Sequence, residues 1–255
     1  MRVVVKVGTS TLAHATGRLN IRRTSALCRV LSDLKNQGHE VILVSSGAIG
    51  MGVGKLGLRE KPSDIPTKQA AAAVGQCELM YTYDRLFTEY NHTVAQILLT
   101  GADFCAEDRH ENFNNTLHKL LEMNVLPIIN ENDTIATEEI RVGDNDTLSA
   151  LVAVSAKAEL LIILSDVEGL YSADPRKNPD AKLIEAVHGV TDEIMALGGG
   201  EGSSLGTGGM RTKLRAAQIC NESGCDLVIA NGEDPELLYG IIDGKANGYT
   251  RFYAD

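Results

Sequence analysis

Two lysines occupy positions where a cation needs an anionic partner or a route to solvent. Lys6 interrupts a run of valines in RVVVKV, and Lys213 follows a glycine turn in GTGGMRTK. An ammonium group among valines is unfavourable unless its head reaches an anion or a cavity. Each lysine alone also fits an ordinary solvated side chain, on an edge strand or on a helix surface. Together they indicate a site for a strongly anionic group such as phosphate.

Three glycine-bearing segments could hold that anion through backbone N–H groups. They read KVGTS, SSGAIGMG and GTGGMRTK. The first two follow predicted strands, and the third opens a predicted helix, whose dipole adds to the attraction. Each segment alone is more simply a tight turn. The chain lacks the GxxxxGK[ST] phosphate loop, which disfavours the commonest nucleotide-binding motif.

A third group of residues combines carboxylates with amides, in IINENDTIA at 128–136 and VGDNDTLSA at 142–150. Such residues commonly form turns and helix caps, and Asn145 with Asp146 could cap the helix that follows. A calcium loop is disfavoured because DNDT lacks the EF-hand spacing. The functional interpretation is a polar site at a strand end that holds an ammonium group or orders nearby lysines.

The elements that position these residues alternate along the chain. Short aliphatic runs predict strands at 2–7, 40–45, 94–99, 125–129, 160–165 and 226–230. Amphipathic stretches predict helices at about 20–37, 67–90, 108–123, 145–157 and 210–223. Nearly continuous aliphatic strands indicate a parallel sheet that is buried on both faces. The predicted fold class is therefore an α/β sandwich with a mainly parallel open sheet.

No linker divides the chain, so we expect one domain over 1–255 with two lobes, about 1–170 and about 171–255. Lys and Arg number 24 against 34 Asp and Glu, a net charge of −10. That charge argues against non-specific binding to nucleic acid or to an anionic membrane. Five cysteines without a CxxC pair indicate reduced thiols in the cytoplasm. We expect neither a signal peptide nor a membrane span.

The segments KVGTS, SSGAIGMG, INENDTIAT, VGDNDTLSA, SDVEGLYSADPR and GTGGMRTK, in this order, resemble the amino acid kinase family over about residues 2–250. The resemblance implies a three-layer αβα sandwich and ATP as phosphoryl donor, with Mg²⁺ held by the ATP phosphates. INEND, GDND and GTGGMxTK resemble the branch that phosphorylates the side-chain carboxylate of L-glutamate, the first step of proline synthesis. VSSGA stands where VTSGA is common, a conservative departure. The chain stops at Asp255, so it resembles members without an RNA-modifying-enzyme-like C-terminal domain.

The same resemblance implies roles for individual residues. Lys6 and Lys213 would act in catalysis on the phosphates, with Asp146 holding both lysines in place. Glutamate would be bound by Ser46, Gly47, Asn130, Asp133 and Asn145. ATP would be bound by Lys6, Gly8, Ser165, Asp166, Thr207, Gly208, Gly209, Met210, Arg211, Thr212 and Lys213. The family is commonly dimeric or tetrameric, so we expect a homo-oligomer, with proline as a possible feedback inhibitor.

Two other classes of function stay open at this point. One is a kinase of the same fold that acts on acetylglutamate, aspartate, carbamate or a nucleotide. The acidic INEND and GDND segments favour an acceptor with a free α-ammonium group, which acetylglutamate lacks. The other is a non-enzymatic sensor of an amino acid or nucleotide, which would not need both lysines. Phosphoryl transfer to an ionised carboxylate needs positioning and positive charge but no general base.

Overall fold

Parallel strands of aliphatic residues form the centre of the protein. The computed structural model describes residues 1–14, 18–60, 62–136, 144–199 and 209–254. Over these ranges the strands are β1 (Arg2–Val7), β2 (Glu40–Ser45), β3 (Val94–Leu99), β4 (Leu126–Glu131), β5 (Leu160–Ser165), β6 (Ala186–His188), β7 (Asp226–Asn231) and β8 (Thr250–Tyr253). They form one eight-stranded sheet in the order β3-β4-β2-β1-β5-β7-β8-β6. Only β7 and β8 pair antiparallel within it, so the predicted mainly parallel sheet is confirmed.

The connecting segments form helices on both faces of this sheet. The helices are α1 (Thr9–Leu12), α2 (Ile21–Asn36), α3 (Ala48–Leu56), α4 (Ile65–Thr88), α5 (Gly101–Cys105), α6 (Glu107–Glu122), α7 (Asn145–Ser155), α8 (Asp192–Leu197), α9 (Met210–Asn221) and α10 (Leu237–Ile242). The five predicted helices correspond to α2, α4, α6, α7 and α9. The long or aliphatic ones therefore agree with the sequence, whereas the five shorter ones were not predicted.

Alternate residues of the central strands enter two separate hydrophobic clusters. Val3 and Val5 of β1 pack in a cluster with residues of α2, α4 and α10. Val4, one position along, packs in a second cluster with residues of α6, α7 and α9. The period of two along a strand places these side chains on opposite faces. The three-layer αβα arrangement is thereby confirmed.

Lys6 lies in the most central part of the sheet. Its neighbours across the strand pairs are Val44 of β2 and Ile163 of β5. An edge strand with a solvent-directed lysine was one interpretation of RVVVKV, and it is wrong because β1 is paired on both sides. By the same period of two, Lys6 points to the face that α7 and α9 cover.

Helices α3 and α4 pack together at unusually short range because both carry glycine at the contact. A Cβ atom added to Gly52 would lie 1.8 Å from the carbonyl oxygen of Ala71. One added to Gly75 would lie 1.7 Å from that of Ala48. The interpretations of SSGAIGMG, as an anion-binding segment or as a tight turn, therefore both missed a helix-packing surface. In the described ranges, no helix combines the length and apolar character that a bilayer crossing requires.

Candidate active site

Polar residues from several elements meet at the carboxyl edge of the central strands. Ser46 directly follows β2, Asn130 lies near the end of β4, and Ser165 ends β5. Helix α7 delivers Asn145 and Asp146 in its first turn. In open α/β sheets this edge is where ligands bind, because the strand ends and helix N-termini converge there.

A buried carboxylate bridges the two lysines. Asp146 Oδ1 lies 2.7 Å from Lys6 Nζ, and Asp146 Oδ2 lies 3.1 Å from Lys213 Nζ. Asp146 is 1 % exposed, Lys6 8 % and Lys213 6 %. Two cations thus share one anion in a nearly dry environment, which leaves this cluster with a net positive charge. Such a cluster is suited to receive a further anion.

The surroundings of Asp146 keep it ionised. Burial alone would raise the pKa of the Asp146 carboxyl, but the ammonium groups of Lys6 and Lys213 outweigh burial and hold that pKa below its usual range. The Thr212 hydroxyl lies 2.7 Å from Asp146 Oδ2 and donates to it. Thr212 therefore fixes the carboxylate from the first turn of α9, next to Lys213.

Asp144 caps α7, and this corrects the interpretation that Asn145 and Asp146 form the cap. Its carboxylate accepts a hydrogen bond from the backbone N–H of Thr147 at 2.8 Å. Burial and the charge of Asp146 raise the pKa of the Asp144 carboxyl, although the Thr147 N–H acts in the opposite direction. Two aspartates in one helical turn thus have opposite pKa shifts.

Amides form the second half of the site. Asn145 Nδ2 donates to Ser46 Oγ at 2.7 Å and to Asn130 Oδ1 at 3.0 Å. Asn130 Nδ2 in turn donates to Gln76 Oε1 at 3.0 Å. We call the four residues Gln76, Asn130, Asn145 and Ser46 the amide chain. Gln76 was not predicted from the sequence, since a glutamine inside a long helix is ordinarily solvent-exposed and nothing in its neighbours marks it.

Three glycines of the predicted site begin helices. Gly8 is the N-cap of α1, and a Cβ atom there would lie 3.4 Å from Lys6 Nζ. Gly47, the N-cap of α3, has φ +109°, a left-handed conformation that glycine adopts without strain. Gly209 is the N-cap of α9. These turns place backbone close to the lysines and to Ser46.

The remaining predicted residues lie around this centre. Ser165 is buried and donates to Asp166 Oδ1 at 3.2 Å, while Asp166 itself is exposed. Asp133 is half-buried in the turn after β4. Met210 and Arg211 open α9, the first half-buried and the second exposed. Thr207 and Gly208 fall outside the described residues. Within the described ranges, no three His, Cys, Asp or Glu residues are grouped as metal ligands.

Comparison with known proteins agrees with this architecture. Residues 1–231 match the model of the amino acid kinase family. A "Glutamate 5-kinase" of Clostridium tetani is 55% identical over 246 residues, covering 96% of this chain and 92% of the relative. Another of that name, from Caldanaerobacter subterraneus, is 52% identical over 250 residues, covering 98% of this chain and 67% of the relative.

Solved structures extend the comparison to the fold. Carbamate kinase from Giardia lamblia bound to AMP-PNP has a TM-score of 0.69 at 18% identity, covering 100% of this chain and 98% of that one. UMP kinase from Ureaplasma parvum has a TM-score of 0.68 at 16% identity, covering 99% and 98%. At these identities the likeness concerns the fold alone, whereas the family match and the two relatives above are far stronger. The chain belongs to the amino acid kinase family.

Proposed function

We propose that this protein is a glutamate 5-kinase, which transfers the γ-phosphoryl group of ATP to the side-chain carboxylate of L-glutamate. The product is glutamyl 5-phosphate, the first intermediate of proline synthesis. The observation that carries the proposal is the pair Lys6 and Lys213, held on one buried carboxylate at the carboxyl edge of the sheet. The two relatives of the same name support the choice of glutamate among the acceptors of the family.

The lysines would act where the charge is highest. Transfer of a phosphoryl group to a carboxylate brings two anions together, so the main requirements are positive charge and alignment. Lys6 and Lys213 would contact the phosphate oxygens, and Asp146 would keep both ammonium groups in position between turnovers. The acceptor carboxylate is ionised at neutral pH, so no side chain needs to remove a proton.

The acceptor would lie on the amide side of the site. We assign glutamate binding to Ser46, Gly47, Asn130, Asp133 and Asn145. Asp133, half-buried in the turn after β4, would pair with the α-ammonium group of glutamate. An acetylated amine carries no such charge, and this distinguishes the proposal from acetylglutamate as acceptor.

ATP would lie on the side of β5 and α9. We assign its binding to Gly8, Ser165, Asp166, Gly209, Met210 and Arg211, together with Lys6 and Lys213. Mg²⁺ would be held by the phosphate oxygens of ATP and would neutralise part of their charge. On this assignment residues 1–170 carry the glutamate site and residues 171–255 contribute to the ATP site of one domain. The single sheet that runs through both parts supports this division into lobes rather than separate domains.

Three further parts of the proposal concern the protein in the cell. We infer that it forms a homo-oligomer, a dimer or a tetramer, and that it acts in the cytoplasm. The described cysteines, all free thiols, are compatible with a reducing compartment. Proline would compete with glutamate, because the two share the α-amino acid head.

The test is ADP release measured in a coupled assay with four acceptors: L-glutamate, N-acetylglutamate, L-aspartate and UMP. We expect glutamate to be strongly preferred. Asp133→Asn should lower kcat/KM for glutamate by about 10²-fold, because a partly desolvated ammonium loses its partner. The KM for ATP should change little. Asp84→Asn, at an exposed aspartate on α4, is the control. Efficient turnover of acetylglutamate, or unchanged glutamate kinetics in Asp133→Asn, contradicts the proposal.

A further inference from the structure

Gln76 is a buried polar residue far from every motif of the sequence. It lies in the middle of α4 and is only 7 % exposed. Its side-chain amide makes two hydrogen bonds: Oε1 accepts from Asn130 at 3.0 Å, and Nε2 donates to Gln96 Oε1 at 3.1 Å. Both ends of the Gln76 amide are therefore used.

Each amide in the amide chain constrains the orientation of its neighbour through a hydrogen bond. Asn130 presents Nδ2 to the Gln76 oxygen and directs Oδ1 the other way. Asn130 Oδ1 then accepts from Asn145 Nδ2 at 3.0 Å and from the backbone N–H of Glu131 at 2.9 Å. Asn145 must likewise direct its nitrogen towards Asn130, where it also reaches Ser46 Oγ.

As a result, the end of the amide chain formed by Asn145 and Ser46 has a defined arrangement of hydrogen-bond acceptor and donor. Both hydrogens of Asn145 Nδ2 are engaged, so Asn145 Oδ1 is available as an acceptor. Ser46 Oγ accepts from Asn145, so the Ser46 hydroxyl hydrogen is available as a donor. Among the described residues, no donor reaches Asn145 Oδ1 and no acceptor receives the Ser46 hydrogen. One acceptor beside one donor matches the ammonium and carboxylate groups of an α-amino acid.

Packing of α4 against α3 holds Gln76 within hydrogen-bonding distance of Asn130. The neighbouring Gly75 lies against the backbone of Ala48, where a Cβ atom would be 1.7 Å from the carbonyl oxygen. Ala48 is the first residue of α3, two positions after Ser46. The start of the amide chain on α4 and its end at Ser46 are thus tied to one rigid contact between helices.

We propose that Gln76 is a positioning residue for the amino-acid acceptor: together with the Glu131 N–H it holds the orientation of Asn130 and, through Asn130, that of Asn145, and thereby the polarity of the site that receives the α-amino acid head. This inference rests on the function proposed above. Gln76 acts through Asn130 and does not itself touch the acceptor. Its loss should therefore weaken acceptor binding and leave phosphoryl transfer in the saturated enzyme nearly intact.

The experiment compares Gln76→Met with Gln76→Glu. Methionine keeps the length of the side chain but cannot accept from Asn130, so the KM for glutamate should rise about tenfold, the effect of one lost hydrogen bond. The kcat and the KM for ATP should stay within about twofold of wild type. Glutamate at position 76 still offers an oxygen to Asn130, and Gln96 can turn its amide to donate, so Gln76→Glu should restore the KM for glutamate. Calorimetric titration with L-glutamate gives the Kd independently of turnover.

Thr82→Val is the matched control, since Thr82 is equally buried on α4 but donates only to the backbone of its own helix. It should leave the KM for glutamate unchanged. If Gln76→Met fails to fold by circular dichroism, Gln76→Asn, too short to reach Asn130, should show the same rise in KM. An unchanged glutamate KM and Kd, or an equal loss in kcat and in both KM values, overturns the role of Gln76. Failure of the wild type to phosphorylate glutamate instead overturns the proposed function, and the Kd values then decide the role of Gln76.

Discussion

Lys6, Lys213 and Asp146 form a lysine cluster, which meets the amide chain at two consecutive residues of α7. The two groups are held together by different interactions. Asp146 faces two buried ammonium groups, whereas Asn145 faces only neutral groups. Consecutive residues on a helix point about 100° apart, so one helical turn serves both halves of the site. The charged half is suited to concentrate positive charge on phosphate, and the neutral half to sort acceptors by the direction of their hydrogen bonds.

The two halves also differ in the energies at stake. Removing one partner of a buried ion pair leaves a charge without compensation and costs about 3–5 kcal/mol. Removing one hydrogen bond between neutral groups costs about 1 kcal/mol. Substitutions in the lysine cluster should therefore have large effects on stability and kcat, and substitutions in the amide chain smaller effects, confined to acceptor binding.

The largest effect is expected for Asp146→Asn. Two buried lysines lose their shared anion, so the free energy of unfolding at pH 7 should fall by about 3–5 kcal/mol. Urea titrations followed by circular dichroism measure the difference, and kcat should fall as well because the ammonium groups lose their positions. Asp144→Asn is the control: asparagine also caps a helix, so we expect a change of less than about 1 kcal/mol.

The pH dependence of stability separates the same two aspartates. The pKa of Asp146 is lowered in the folded protein, so its contribution to stability is present above the unfolded pKa of about 4 and is lost as the pH falls through the folded pKa. The difference between wild type and Asp146→Asn should therefore shrink in acid. The pKa of Asp144 is raised, so its ionisation lowers the stability of the folded protein as the pH rises. Asp144→Asn should remove that loss of stability. Parallel pH profiles for the two variants would contradict the opposite shifts.

The second-largest effect is expected when either lysine of the cluster is substituted. Lys6→Ala and Lys213→Ala should each lower kcat by about 10²-fold or more, as expected when a group that stabilises transition-state charge is removed. Either remaining lysine still pairs with Asp146, so both variants should fold. Lys119→Ala, at an exposed lysine paired with Glu122 on α6, should leave kcat unchanged. Near-normal turnover in a folded Lys6 or Lys213 variant would reject its assigned role.

The smallest effect is expected at Thr212. Thr212→Val keeps the shape of the side chain but removes the donor to Asp146, so kcat should fall about tenfold, while Thr212→Ser should restore it. The KM for ATP should hardly change, because the hydroxyl acts on Asp146. A raised KM for ATP at unchanged kcat would instead assign Thr212 to nucleotide contact, as the sequence resemblance implies.

The sequence predicted the central strands well and the short elements poorly. Strands such as Arg2–Val7 and Leu160–Ser165 are mostly aliphatic because both faces of the sheet are covered. Helix α3 was missed because glycine has a low helix propensity, which the close packing against α4 overcomes. Strands β6 and β8 have three and four residues, too few for a pattern to emerge.

The parts of the site that the sequence did not predict depend on three-dimensional contacts. The sequence placed Asp133 in one acidic segment and Asn145 and Asp146 in a second, yet it could not say which aspartate caps α7. That depends on which carboxylate reaches the Thr147 N–H. Gln76 could not be found at all, because its role follows from a hydrogen bond to Asn130, 54 residues away in the chain.

The central position of β1 has a consequence for the synthesis of the protein on the ribosome. Strand β1 pairs on one side with β5, next to which Arg2 N donates to Glu159, 157 residues further along the chain. At about 5–20 residues per second, that edge of β1 waits roughly 8–30 s for its partner. During this interval a run of valines is exposed in the growing chain, and parallel pairing over such a distance is slow in itself. The edge of β1 that pairs with β5 therefore stays without its partner strand until β5 has left the exit tunnel.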